Sequence, residues 1–311
     1  MLAGCREAIP PSTTLRIGVF EVQDLLPYYV MQEEGLDVRQ GLHFVEHSFA
    51  GGAAALQAMA EGWLDVCPAV GVVPFLTAAE RGLVPGKVVL VAANDLADRE
   101  HPGVALLVSH SIQGWKDLNG QKIAVNARDS VTAAAVDGRF REEGVVGHSF
   151  VTIPFSNMGL AVAGGNVAAA GMNEPYFTQS VLRRDGRLLD WVVGGRPFDR
   201  TQPTGIVFRT DLYQSNPGSG KAYLRAHLAA VRWINDNPEK ARRLLAKRLS
   251  LSAEVSKGIH LLRWPLEARV DPDLLSQAQE VLVRANLLRP PGDTTRLYDE
   301  RLLTEVLTER R

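Results

Sequence analysis

Cysteine is nearly absent: the 311 residues hold two, Cys5 and Cys67. That excludes a disulfide scaffold and any cysteine-based zinc cluster. Net charge is nearly absent too. The chain has 34 Lys and Arg against 35 Asp and Glu, a formal charge of −1. No whole-molecule field exists to recruit nucleic acid or an anionic membrane. No apolar run reaches the roughly 18 residues of a transmembrane helix, because Gly, Pro or charge breaks each long stretch. The 28 glycines and 17 prolines are spread along the chain, which leaves no collagen-like or low-complexity segment. What remains is an ordinary composition, 46% hydrophobic and 22% charged. A chain of this length holds two domains of about 150 residues or one large one.

The first residues stand apart. Leu2-Ala3-Gly4-Cys5 has the pattern of a bacterial lipobox, in which small side chains admit a peptidase and the thiol takes the lipid. The charged and apolar parts of a signal peptide are expected upstream. On this reading Cys5 is the lipidation site, residues 1–13 are lipobox and disordered tether, and the protein is extracytoplasmic. The anchor is then its one contact with the membrane. Cys67 is left as an unpaired, buried small hydrophobe.

Beyond the tether, strand-like and helix-like segments alternate. Residues 15–20, 43–49, 66–70 and 88–92 read as strands, with helices expected over 25–35, 53–62 and 73–82. After His101-Pro102-Gly103 a second, similar series begins, with strands over 104–108, 122–125, 150–153, 168–172 and 188–193. Ser130 is the expected N-cap of a helix over 130–144 and Gly144 its stop. Residues 205–208 return the chain to the first series, and helices fill the remainder: 221–235, 238–248, 253–262, 272–285 and 295–309. Such alternation predicts an α/β protein with mixed, mainly parallel sheets. The expected architecture has two lobes: residues 14–103 plus 205–311, and residues 104–204. The hinge crossings fall near 103 and 204, and a helical C-terminal tail packs on the first lobe. Ligands in such folds bind at the carboxyl ends of the strands and between lobes.

Motifs that would mark other chemistry fail on inspection. Pro217-Gly218-Ser219-Gly220-Lys221 resembles a phosphate loop, but Ser215 stands where the first Gly belongs and Ala222 where Ser or Thr would hold magnesium. His43 and His47 share one side of a strand with no third metal ligand near them. There is no Gly-x-Ser-x-Gly elbow, and Cys67 opens an apolar run expected to be buried. No metal or cofactor is expected. Two loops are more informative. Residues 48–52 and 126–132 each join the carboxyl end of a strand to a helix start, where free backbone N–H groups receive an anionic or polar ligand group. A third, Gly171-Met172-Asn173-Glu174-Pro175-Tyr176, puts a carboxylate and an aromatic ring at the same rim.

Taken in order, these pieces resemble the solute-binding proteins of bacterial ABC importers, in the group that takes up sulfonates, taurine, nitrate and thiamine pyrimidines. The resemblance covers about residues 15–262. Its anchors are Leu15-Arg16-Ile17-Gly18, Glu61-Gly62-Trp63-Leu64-Asp65 leading to Gly71-Val72-Val73-Pro74, and the run from Ile112 through Ala124. Within that run, residues 117–124 are similar to the family's Asp-Leu-Lys-Gly-Lys-Lys-Ile-Ala signature, with Asn119 and Gln121 in place of lysines. Ser130 and Asn173-Glu174-Pro175-Tyr176 complete the set.

The resemblance implies a type II periplasmic-binding fold that traps a solute between its lobes and presents it to a permease and its ATPase. It implies no catalysis and a monomer. By the same analogy the ligand-binding positions are Phe20, Glu21, Gln23 and Asp24 after the first strand, Phe49, Gly51 and Gly52 after the second, and Gly71 after the third. The second lobe contributes Arg128, Ser130, Thr132, Glu174 and Tyr176. Helix starts and Arg128 would hold an anionic head, while Phe20, Phe49 and Tyr176 line an apolar body. Glu21, Asp24, Asp129 and Glu174 crowd the same predicted cleft and disfavour a bare dianion. The expected solute is therefore amine-bearing or heteroaromatic, or an aminosulfonate, and Glu174→Ala is expected to weaken binding without unfolding the protein. The alternatives are an enzyme on the same fold, of desulfinase or pyrimidine-synthase type, and a solute sensor. The enzyme reading is disfavoured because the loop from Phe20 to Asp24 holds no cysteine and the cleft loops hold no histidine but His47.

Overall fold

The computed structural model describes residues 13–84, 86–289 and 294–309. Cys5 and the lipobox lie outside the described residues. In chain order the strands are β1 (Thr13–Val19), β2 (Leu42–Ser48), β3 (Val66–Gly71), β4 (Val88–Ala93), β5 (Val104–Val108), β6 (Lys122–Val125), β7 (Ser149–Thr152), β8 (Ala169–Asn173), β9 (Arg187–Val193) and β10 (Thr204–Arg209). They form two sheets of five, ordered β2-β1-β3-β10-β4 and β7-β6-β8-β5-β9. In the first, β1 pairs parallel with β2 and β3, and β10 runs antiparallel between β3 and β4. In the second, β6 pairs parallel with β7 and β8, and β5 runs antiparallel between β8 and β9. Each sheet is thus a parallel set with one reversed strand in the same place. The interior strands β3, β10 and β5 are buried almost throughout, as strands covered by helices on both faces must be.

Two crossings join the sheets. They pair with each other at Ala97 and Thr201, whose N–H groups donate reciprocally to the partner carbonyls at 2.8 and 3.0 Å. A third segment runs beside them: Leu96 and Arg263 exchange backbone hydrogen bonds of 2.8 and 3.1 Å. That segment explains one departure from the expected elements. The helix anticipated over 253–262 ends at Gly258, because the amides of His260, Leu262 and Arg263 are spent on Glu174, Gln23 and Leu96 instead.

Ser130 caps the helix Val131–Glu143 as expected, its hydroxyl accepting from the Ala133 amide at 3.1 Å, and Gly144 ends it in the left-handed conformation. In the second lobe two helices have no counterpart in the sequence reading: Phe155–Ala163 and Tyr176–Leu182. The first carries Gly159 at its centre, where a Cβ would fall 2.1 Å from Ser180 Oγ. Glycine there permits close approach of the two helices, and it also hides the helix from a propensity argument. The tail packs on the first lobe through Pro217–Asp236 and Arg301–Thr308. The helix Pro272–Arg284 also meets Val131–Glu143 of the second lobe, with Arg141 Nη2 donating to the Ala285 carbonyl at 3.3 Å.

Candidate functional site

The carboxyl ends of the parallel strands of both sheets converge on one cleft of about 830 Å³. From the first lobe come the loop after β1 (Phe20, Glu21, Asp24), the loop after β2 (Phe49, Gly51, Gly52) and the turn after β3 (Gly71). From the second come Ser130 and Thr132 after β6, Phe155 and Ser156 after β7, and Asn173 and Tyr176 after β8. The floor is the pair of crossings, present as Gly103, Val104, Val193, Pro203 and Thr204. Helices begin at Gly52, Val72, Val131 and Phe155 on this rim. Their first-turn N–H groups have no intrahelical partner, so the positive ends of several helices aim at one space.

The lobes touch across the mouth. The Tyr176 hydroxyl of the second lobe donates to the Glu21 carbonyl of the first at 3.0 Å. Burial, then the nearby Glu21 charge, pushes the Tyr176 phenol up to about 12, so it stays a donor at neutral pH. Its ring stacks on Phe155, with centroids 5.7 Å apart and planes at 15°. A Cβ on Gly71 would lie 3.2 Å from Val131 Cγ2 of the opposite lobe, so the second lobe rests almost on the backbone there.

Charge in the cleft is lopsided. Among the described residues Glu21, Asp24 and Glu46 line it, against one lining cation, Arg248. The Arg248 guanidinium lies over the Tyr29 ring at 5.5 Å and donates to Gln32 Oε1 at 3.0 Å. Glu46 is also engaged, accepting from the Tyr28 hydroxyl and from Gln32 Nε2, each at 2.9 Å. Burial, with the Glu46 charge behind it, holds the Tyr28 phenol protonated far above its ordinary range.

A model of the NMT1-like family matches residues 8–250. The chain belongs to the NMT1-like family. No curated protein matches it in sequence. Among solved structures it is similar to the periplasmic nitrate-binding protein NrtA of Synechocystis PCC 6803, with a TM-score of 0.80 and 15% identity over 97% of this chain and 90% of that one. It is also similar to the periplasmic aliphatic sulphonate binding protein SsuA of Escherichia coli, with a TM-score of 0.70 and 19% identity over 92% of each chain. The desulfurization enzyme DSZB shares the architecture as well, at a TM-score of 0.72 and 18% identity over 96% of this chain and 99% of that one. The fold is that of the periplasmic binding proteins.

Within this NMT1-like cleft the structure brings together ten of the positions named from sequence: Phe20, Glu21, Asp24, Phe49, Gly51, Gly52, Gly71, Ser130, Thr132 and Tyr176. Three others do not line it. Gln23 is fully buried, its Oε1 accepting from the Leu262 amide at 3.2 Å. Arg128 turns outward and donates to the Phe150 carbonyl at 2.9 Å, so it holds no anion in the cleft. Glu174 is fully buried behind β8, accepting from the Thr178 amide and hydroxyl and from both the amide and ring Nδ1 of His260. Its carboxylate braces the segment beside the hinge and faces no solute. Asp129 is likewise absent from the lining, and Glu46 takes its place among the acids.

Lining residues that sequence reasoning missed include Tyr29, Glu46, Phe155, Ser156 and Arg248, while Asn126 and Asn173 lie in loops it singled out without naming them as ligand positions. Phe155 and Ser156 had a signal, since they follow β7 just as Ser130 follows β6. Tyr29 and Arg248 had none, because helix packing alone brings them together. Cys67 is no nucleophile: it is fully buried in β3, 3.9 Å from the Gly18 carbonyl, and burial pushes its thiol up to about 12.

Proposed function

We propose that the chain is the extracytoplasmic solute-binding component of an ABC importer, capturing a small organic solute between its lobes and delivering it to a permease and its ATPase. The observation that carries the reading is the meeting of both sheets' strand ends across one cleft whose floor is the hinge itself. A solute held there touches both lobes, and so stabilises the lobes-together state that a permease would recognise. The similar nitrate- and sulphonate-binding structures support the same role.

Phe20, Tyr29, Phe49, Phe155 and Tyr176 favour a solute with an apolar or aromatic body. Helix starts favour an anionic group and the cleft acids a nitrogen donor, so an aminosulfonate or a heteroaromatic solute fits better than nitrate. Attachment to the outer face of the membrane through Cys5 is part of the proposal, supported by Leu2-Ala3-Gly4-Cys5.

The test is a thermal-shift panel of taurine, alkanesulfonates, aromatic sulfonates and carboxylates, hydroxymethylpyrimidine, flavins and nitrate. A ligand at a hundred times its dissociation constant adds about 2.7 kcal/mol. Stabilisation by one compound class, with the compound recovered unchanged, supports a carrier. Recovery of a cleaved product would establish the enzymatic reading that the likeness to DSZB keeps in view.

A further inference from the structure

Asp24 sits on a single 3-10 turn, Gln23–Leu25, at the inner end of the cleft. Only 5% of it is exposed, and its Oδ2 has no hydrogen-bond donor. The side chains of Asn94 and Asp95 beside it are engaged with other groups. Asn94 Nδ2 donates to the Asp24 backbone carbonyl at 2.9 Å and to Asp95 Oδ2 at 3.0 Å. Asp95, fully buried, takes the Thr204 amide on Oδ1 at 3.0 Å and the Thr204 hydroxyl on Oδ2 at 2.7 Å. Asp95 thus accepts three hydrogen bonds, while Asp24 Oδ2, enclosed next to it, receives none from an amide or hydroxyl of the described residues.

Burial raises both carboxyls above the ordinary carboxylate range, and the Asp24 charge raises Asp95 further. Two such groups in contact hold one proton between them and carry a single negative charge. A buried charge of this kind is costly unless a partner meets it. Among the described residues the one cation lining the cleft is Arg248, which lies over Tyr29 and donates to Gln32. The partner is therefore missing from the described residues.

We propose that Asp24 is the recognition point for a positively charged nitrogen of the solute, a protonated amine, amidine or ring nitrogen whose N–H donates to Asp24 Oδ2 at the hinge. The proposal rests on the carrier reading for its biological sense, but the site is testable without it. It makes the cargo a cation or a zwitterion whose negative end faces the helix starts, and it excludes simple alkanesulfonates and nitrate.

The experiment uses three small probes that fit any cleft of this size: methylguanidinium, methylurea of nearly the same shape without the charge, and methanesulfonate. Each is titrated into the whole chain labelled with carboxyl-13C aspartate. Methylguanidinium is expected to shift the Asp24 carboxyl signal saturably and to bind about tenfold or more tightly than methylurea. Asp24→Asn, which keeps shape and volume, is expected to abolish the preference, and its thermal unfolding shows that the variant is folded. Asp24→Glu, which retains the charge, is expected to keep a weakened preference. Equal binding of methylguanidinium and methylurea, no movement of the Asp24 signal, or an unchanged preference in Asp24→Asn would overturn the proposal. If the anionic solutes of the thermal panel bind and Asp24 does not respond to methylguanidinium, the cation site falls and the carrier stands. If methylguanidinium titrates Asp24 but no organic solute stabilises the chain, the carrier reading falls and the cation site stands.

Discussion

Glu174 Oε1 receives both the backbone amide and the ring Nδ1 of His260, at 3.1 and 3.0 Å. One carboxylate of the second lobe thereby holds the segment that runs beside the two crossings. Removing it leaves the buried Thr178 amide without an acceptor and releases the amide and ring of the half-exposed His260. Glu174→Ala is expected to cost about 2–4 kcal/mol of stability in urea unfolding, reversing the expectation that this change spares the fold. Glu174→Gln, which still accepts, is expected to cost less.

The Tyr176 hydroxyl and the Glu21 carbonyl are a direct bond between lobes that breaks when they part. Tyr176→Phe keeps the stack on Phe155 and deletes that bond. Affinity for a solute found in the thermal panel is expected to fall by about 1 kcal/mol, roughly fivefold, in calorimetric titration. The melting temperature without solute is expected to change little.

The buried carboxyls of Asp24 and Asp95 act on stability through pH. Burial raises both, and the Asp24 charge raises Asp95 further, so between pH 4 and the raised values the folded protein holds more protons than the unfolded one. Stability from this pair is therefore present in acid and lost as pH rises through that window. Asp24→Asn is expected to stabilise the chain by about 1–2 kcal/mol at pH 8, with the gain shrinking toward pH 5 in parallel urea titrations.

His227 works in the opposite sense. It is fully buried with no partner for Nε2, and burial lowers its imidazole to about 3. The unfolded chain binds the proton that the folded one refuses, so stability is lost as pH falls from about 6.5 toward 3. The slope is at most about 1.4 kcal/mol per pH unit. His227→Leu is expected to flatten that acid limb, read as a smaller change in urea midpoint between pH 6.5 and 4.

What sequence revealed and what it hid divide along physical lines. Apolar runs such as β4 and capped helices such as that of Ser130 and Gly144 are local patterns, and their bounds fell within a residue or two of expectation. Loops after parallel strands point at the cleft by geometry alone, which is why Phe20, Phe49, Ser130 and Tyr176 were legible as lining residues. The direction of a polar side chain is not local. Glu174 points at a segment 86 residues away, Gln23 at one 239 away, and Arg128 at the neighbouring strand. Each could have faced the cleft on pattern alone. The helix Phe155–Ala163 was hidden because its central glycine serves a contact with Ser180, made in space.

The reversed strand of each sheet occupies the same slot, yet it comes first in one lobe's chain order and last in the other's. In the second lobe β5 leads, and all five strands lie within residues 104–193. In the first lobe β10 is the piece that joins β3 to β4, and it follows only after the whole second lobe. During synthesis from the N-terminus, the later-encoded lobe therefore closes its sheet first. The earlier-encoded lobe waits in two fragments, its β3 and β4 edges open, until residue 209 has left the ribosome. Through that interval it is the half that needs shielding from other chains.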